Sequence, residues 1–138
     1  MEKSVIDFLK NNSLCILSTC KDNKPHSVPV YYFYDDENET FYIATKAKTQ
    51  KVLNILENKN TFITVFRTDP QATFTAECEA TIIDHTNEDF PDIAKRLMEI
   101  HSAQSSFPTP LSMIKDGSLV LIQLKVITHK FNSYRQTV

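Results

Sequence analysis

The sequence predicts a mainly β protein with peripheral helices, built as one antiparallel barrel that is closed or nearly closed. Three observations carry this prediction. Six segments show strand patterning, most of them joined by turns too short for a parallel crossover. Helical patterning is confined to one segment ahead of the strands and two among them. Long strands in a small chain must cover their edges, and closure removes edges altogether. An open α+β sheet is the architectural alternative.

The elements follow in order. Ser4, with Asp7 three residues on, reads as the N-cap of a short helix carrying Val5, Phe8 and Leu9 at helical spacing. Residues 14–20 read as a mostly buried strand. Residues 21–25 form a turn in which Asn23 takes the left-handed conformation that glycine would otherwise supply. Residues 26–34 return as a second strand, rich in aromatic and β-branched side chains. Pro29 lacks an N–H, which places it at an edge or a bulge. The polar run 35–39 turns the chain into a third strand, 40–45. Residues 49–58 read as a helix with Val52, Leu53 and Leu56 on one face. A strand at 60–68 and a turn at 69–71 follow. Residues 73–85 alternate Phe74, Ala76, Cys78, Ala80 and Ile82 against Thr75, Glu77, Glu79 and Thr81, the mark of a half-buried strand. A helix at about 89–102, a Ser/Pro-rich loop at 103–111 and a last strand at 119–131 complete the chain.

Composition bounds the function. The 138 residues make one domain, and 41% apolar with 23% charged residues is a globular balance. Gly117 is the sole glycine, so no glycine-rich phosphate loop exists. With 15 basic against 17 acidic residues, the net charge of −2 argues against broad nucleic-acid binding. No apolar run approaches the roughly 18–20 residues of a membrane span, and the first residues do not form a signal peptide. A cytoplasmic protein is expected. Cys15, Cys20 and Cys78 form neither a disulfide framework nor a CxxC site, and His26, His85, His101 and His129 form no local metal pair. No metal site is expected.

Charge order supplies the chemical cue. The later helix places Glu88, Asp89 and Asp92 at its start and Lys95, Arg96 and His101 further along, as the helix dipole favours. The earlier helix is reversed. Thr45-Lys46-Ala47-Lys48-Thr49-Gln50-Lys51 leads into it, and Glu57 stands near its end. Lysines at a positive terminus cost roughly a few tenths of a kcal/mol each when exposed. A bound anion reverses that sign: free N–H groups, the dipole, a lysine and a threonine hydroxyl make a phosphate site without glycine. A solvated lysine face is the plainer alternative. Upstream, the proline in His26-Ser27-Val28-Pro29-Val30-Tyr31-Tyr32 leaves backbone groups that can face a flat polar heterocycle, or simply marks a blocked sheet edge.

Other residues carry less. Cys20 and His26 could pair across a turn as a thiolate dyad, but no third orienting group is visible. Cys15 and Cys78 read as core, and His85, His101 and His129 as surface or strand-end residues. Tyr31, Tyr32, Phe33 and Tyr34 cannot all face the core, because successive strand residues alternate; some should face a ligand or a partner subunit. Glu77 and Glu79 share a strand face without the marks of an acid/base pair.

Together, Leu14-Cys15-Ile16-Leu17-Ser18-Thr19, Lys24-Pro25-His26-Ser27-Val28-Pro29-Val30, Phe41-Tyr42-Ile43-Ala44-Thr45, Thr49-Gln50-Lys51-Val52-Leu53-Asn54-Ile55 and Asn58-Lys59-Asn60-Thr61-Phe62 resemble the pyridoxamine 5′-phosphate oxidase-like, FMN-binding split-barrel family. The resemblance implies a six-stranded antiparallel split β-barrel and a homodimer with flavin sites at the subunit interface. It implies that Lys51 binds the FMN phosphate, helped by Thr45, Lys46 and Thr49. The stretch Ser27, Val28, Pro29, Val30 and Tyr31 would line the isoalloxazine ring. The implied activity is a flavin-dependent oxidoreductase acting on a small-molecule substrate or electron donor. Haem, a deazaflavin or another phosphorylated ligand held without turnover is the alternative. The chain departs from the family where Asn23-Lys24 replaces a common glycine and Thr49 a common arginine. Residues 130–138 do not match the arginine- and histidine-bearing C-terminal substrate segment of the family oxidases, so vitamin-pathway oxidation is not expected. No catalytic acid or base is assigned.

Overall fold

A computed structural model describes residues 1–102 and 117–134. The elements are α1 (Lys3–Lys10), β1 (Leu14–Lys21), β2 (Lys24–Tyr31), β3 (Phe33–Asp35), β4 (Thr40–Lys46), α2 (Gln50–Glu57), β5 (Asn60–Thr68), β6 (Gln71–Ile83), α3 (Phe90–Ser102) and β7 (Leu119–Ser133). The loop expected at 103–111 lies outside the described residues. All described strands join one antiparallel sheet in the order β2-β1-β5-β6-β7-β4-β3.

The two ends of that order, β2 and β3, are consecutive in the chain, and Tyr32 alone lies between them. Successive Cα atoms are about 3.8 Å apart. The sheet must therefore curl until its edges meet at this residue, while no ladder joins them beyond it. That is a split barrel, pinned at one end. Tyr32 is built as the pin. Its N–H donates to the Ser13 carbonyl at 2.8 Å. Its buried hydroxyl donates to the Leu9 carbonyl at 2.6 Å, and its ring meets Phe41 edge-on at 5.2 Å.

The same residue explains a difference from expectation. The segment 26–34, read as one strand, is two: β2 pairs with β1 and β3 with β4, so the sheet has seven strands rather than six. Tyr32 still bonds Ser13 in the register of β1 and β2, and the next residue, Phe33, pairs with Tyr42 of β4. Ser4, expected to cap α1, lies inside it; Glu2 holds the cap position without a side-chain bond.

Short turns follow local chemistry. Lys21 and Lys24 pair across Asp22 (φ 52°) and Asn23 (φ 61°). Two left-handed residues in succession match the right-handed twist of a two-residue hairpin, and Asx residues tolerate that region best after glycine. In β6 and β7 the register slips between Glu77 and Cys78, leaving Ile127 as the extra residue, 58% exposed.

Inside the barrel, Leu17, Phe41, Ile43, Ile63, Val65, Phe74, Ile122 and Leu124 are buried. Val5, Phe8 and Leu9 of α1 pack into this core, as do Val52 and Ile55 of α2. A second cluster joins Phe90, Ala94 and Leu97 of α3 to Tyr42, Leu119 and Leu121 on the outside of β4 and β7. Strand β4 is thus covered on both faces, which is why its sequence reads as an almost continuous apolar run. The outer face of β1 and β5 has no such cover among the described residues: Leu14, Phe62 and Phe66 are exposed. No described helix is long and apolar enough to cross a membrane.

Candidate functional site

The strand β4 ends at Lys46 and leads directly into α2. Asn54 of α2 donates through Nδ2 to Oγ1 of Thr19, near the C-terminal end of β1, at 2.9 Å. Because β1 and β2 are antiparallel, that end of β1 faces the start of β2: Thr19 is paired with His26. The end of β4, the helix α2 and the start of β2 therefore lie at one end of the barrel, opposite the Tyr32 pin, with the C-terminal end of α2 held to the β1–β2 hairpin by the Lys21–Glu57 ion pair at 3.3 Å.

The start of α2 is electrostatically unusual. Its first turn holds no acidic residue, and the N-cap residue Thr49 makes no capping bond. The Thr49 hydroxyl instead donates to the Lys46 carbonyl at 3.1 Å. The Leu53 N–H bonds the Thr49 carbonyl at 3.1 Å; the N–H groups before it have no intrahelical acceptor, as at any helix start. Lys51 is half-buried, and burial pushes its ammonium below the ordinary lysine range. No carboxylate lies within ion-pair distance of it among the described residues. Lys46 and Lys48 are exposed, and Thr45 is buried.

Behind this terminus runs a short polar chain. Gln50 donates through Nε2 to Oδ1 of Asn54 at 2.7 Å, and Asn54 donates to Thr19. Asn54 is 2% exposed, whereas Leu53 and Leu56 are exposed. The face of α2 expected to be buried through Val52, Leu53 and Leu56 is therefore the Val52, Asn54 and Ile55 face. Sequence reasoning missed Asn54 because it weighed apolar residues only. An asparagine flanked by Val52 and Ile55 in an eight-residue helix was the available signal.

The stretch 27–31 divides between two faces of β2. Ser27, Pro29 and Tyr31 point outward: Ser27 and Ser18 share a hydrogen bond between their hydroxyls at 2.8 Å, and Pro29 is exposed opposite Ile16. Val28 and Val30 point inward with His26, opposite Leu17, Cys15 and Thr19. Pro29 does sit on an edge strand, as its missing N–H requires. Ser27 lies near the α2 end. Tyr31 lies four residues further along β2, about 13 Å at the usual strand rise, beside the Tyr32 pin. Among the described residues, the Nδ1 atom of His26 is the one buried side-chain nitrogen or oxygen without a hydrogen-bond partner.

Other candidates do not assemble. Cys20 is paired with Pro25 and shares the outer face with Ser18, whereas His26 points inward, so the imagined dyad is split across the ribbon. Cys15 and Cys78 are buried, and burial pushes both thiols up to about 12. Glu79 pairs with Lys59 at 3.8 Å on the exposed face. His85 packs against Gly117, and His129 stacks on Phe74 at 5.8 Å. Of the aromatic run, Tyr32 and Tyr34 are buried, and Phe33 stacks on Tyr42 at 6.3 Å beneath α3. No group of metal-ligating side chains occurs among the described residues.

The family model described as pyridoxamine 5′-phosphate oxidase matches residues 1–131. The chain belongs to this family. No curated protein matches it. Solved structures share the family fold at low identity. A FAD-binding protein from Mesorhizobium loti superposes with a TM-score of 0.77 at 15% identity, covering 98% of this chain and 96% of that one. A pyridoxamine 5′-phosphate oxidase-related, FMN-binding protein from Nostoc punctiforme gives 0.67 at 12% identity over 94% and 82%. HutZ, the haem storage protein from Vibrio cholerae, gives 0.69 at 12% identity over 96% and 93%.

Proposed function

We propose that this family member is a flavoprotein that binds FMN at the α2 end of the split. The observation that carries the reading is Lys51: an ammonium half-buried at an uncapped helix start, without a counter-ion among the described residues. A dianionic phosphate supplies that counter-ion and accepts from the free N–H groups of the first turn. Thr45, Lys46 and Thr49 stand beside it, with Lys48 adding charge. The ring lies along 27–31 of the edge strand β2, which among the described strands pairs with β1 alone. Backbone groups on that open side can thus meet ring-edge atoms. The unpartnered His26 nitrogen at the same end also fits a ligand with polar atoms.

When bound, FMN would supply hydride or single-electron transfer; the chain's residues hold the phosphate, orient the ring and shield it from water. The activity is read as an oxidoreductase of unassigned substrate and donor. We also assign the partner as a second copy of this chain. Leu14, Phe62 and Phe66 form an exposed apolar surface outside β1 and β5, continuous with Pro29 and Tyr31 of β2, and a homodimer covers it.

The test is an absorption spectrum of the purified protein, followed by titration with FMN. Flavin bands, or saturable FMN binding that raises the melting temperature, are expected. At a ligand concentration 100 times Kd the added stability is about 2.7 kcal/mol. A Soret band would assign the site to haem instead, and a featureless spectrum without FMN uptake would refute the flavoprotein reading. Sedimentation of Phe66→Asp, expected to be monomeric beside a dimeric parent, tests the partner.

A further inference from the structure

We propose that His26 is a ligand-contacting residue of this site, its Nδ1 hydrogen-bonded to the bound flavin nucleotide. The inference rests on the FMN reading above and extends it to a side chain that the sequence did not mark as binding. His26 follows Lys24 on the inward side of β2, opposite Thr19, at the barrel end that α2 covers. The inward residues that follow it, Val28 and Val30, are apolar, so packing alone does not call for an imidazole here. Its cross-strand neighbour Thr19 already accepts from Asn54, which accepts from Gln50. That polar chain runs from the start of α2 to β1 and stops one strand short of His26. Nδ1 is shielded from solvent and has no hydrogen-bond partner among the described residues. Buried polar atoms in native proteins nearly always have one, and a polar atom of a nucleotide held at this end of the barrel would supply it.

The shared chemistry is a hydrogen bond to a polar atom of the nucleotide, and its source is the sugar-phosphate arm or the ring edge. Fluorescence titrations of wild type, His26→Phe, His26→Asn and Lys51→Met with FMN and with riboflavin separate these. His26→Phe is expected to bind FMN about tenfold or more weakly, the usual effect of leaving a buried polar group unpaired. His26→Asn, which keeps a polar atom near the Nδ1 position, should stay within about threefold of wild type. A parallel loss of riboflavin places the contact on the ribityl chain or ring. Loss of FMN binding alone places it on the phosphate. Both outcomes support the proposal. On the wild-type protein, the Nδ1 nitrogen NMR signal of His26 should shift when FMN is added, a readout that needs no variant to fold. If His26→Phe binds FMN as wild type does and the Nδ1 signal does not move, the proposal is overturned. When Lys51→Met weakens FMN binding and His26→Phe does not, this inference fails while the flavoprotein reading stands. Wild-type protein that takes up no FMN removes both.

Discussion

Replacing Lys51 by methionine separates binding from stability, because the same side chain serves one and strains the other. In the absence of ligand, Lys51 is a half-buried cation at a positive helix terminus, with no carboxylate nearby among the described residues. Removing such a charge at a helix start should gain about 0.3–1 kcal/mol, and methionine keeps the buried stem. Ligand-free Lys51→Met should therefore melt at or slightly above the wild-type temperature. Phosphate binding loses a charge-assisted hydrogen bond, about 1.5–3 kcal/mol, or roughly 10- to 150-fold in Kd at 1.4 kcal/mol per decade. A pH series adds a third readout. Burial holds the folded-state pKa of Lys51 below the usual 10.5, so the folded chain releases this proton before the unfolded chain does. Stability from this group rises as pH climbs toward that value, and the rise should vanish in the variant. Calorimetry with and without FMN, repeated across pH, measures all three. A variant that melts well below wild type without ligand, yet binds FMN unchanged, would refute the reasoning: Lys51 would then be a structural residue.

Three further outcomes follow from the fold. Tyr32→Phe deletes the buried bond to the Leu9 carbonyl and should cost about 1–3 kcal/mol in denaturant unfolding. Asn23→Gly removes a side chain from a left-handed position (φ 61°) in a two-residue turn that favours glycine second; it should raise stability by about 0.5–1 kcal/mol in the same assay. Burial pushes the Cys15 and Cys78 thiols up to about 12, so at pH 8 the native protein should take one alkyl adduct, on partly exposed Cys20. Mass spectrometry after brief iodoacetamide treatment counts the adducts, and early modification at either buried thiol would contradict the placement of β1 and β6.

Much of the barrel was legible because period-two patterning is local. In β6, Phe74, Ala76, Cys78 and Ala80 are buried against exposed Glu77, Glu79 and Thr81, as the alternation requires. The Tyr32 break was not legible, since Tyr31 to Tyr34 has uniform strand propensity. The break is a change of partner, from Ser13 ahead of β1 at Tyr32 to Tyr42 of β4 at Phe33, and it depends on where the tertiary fold brings β4. In α2 the apolar pattern misled: Leu53 and Leu56 are exposed while Asn54 is buried, because α2 sits where β1 offers Thr19 as a polar partner. The candidate site was legible through charge order, which marked the start of α2. That Lys51 is half-buried, that Ser27 and Val28 face opposite ways, and that one nitrogen of His26 lacks a partner depend on tertiary packing.

The pairing of β4 has a consequence for synthesis. β1 with β2, β3 with β4 and β5 with β6 are sequence neighbours and can zip as soon as each pair leaves the ribosome. β4 takes its second partner from β7, with Thr40 opposite Lys125 and Lys46 opposite Leu119. Until β7 emerges, Phe41 and Ile43 have no neighbouring strand on that side, and Ile83 lacks Leu121 across the ladder. The nascent chain thus carries a sticky, half-finished sheet through most of its translation. A ribosome stalled before residue 119 holds a chain that cannot close, and that chain is the species a holdase chaperone should capture.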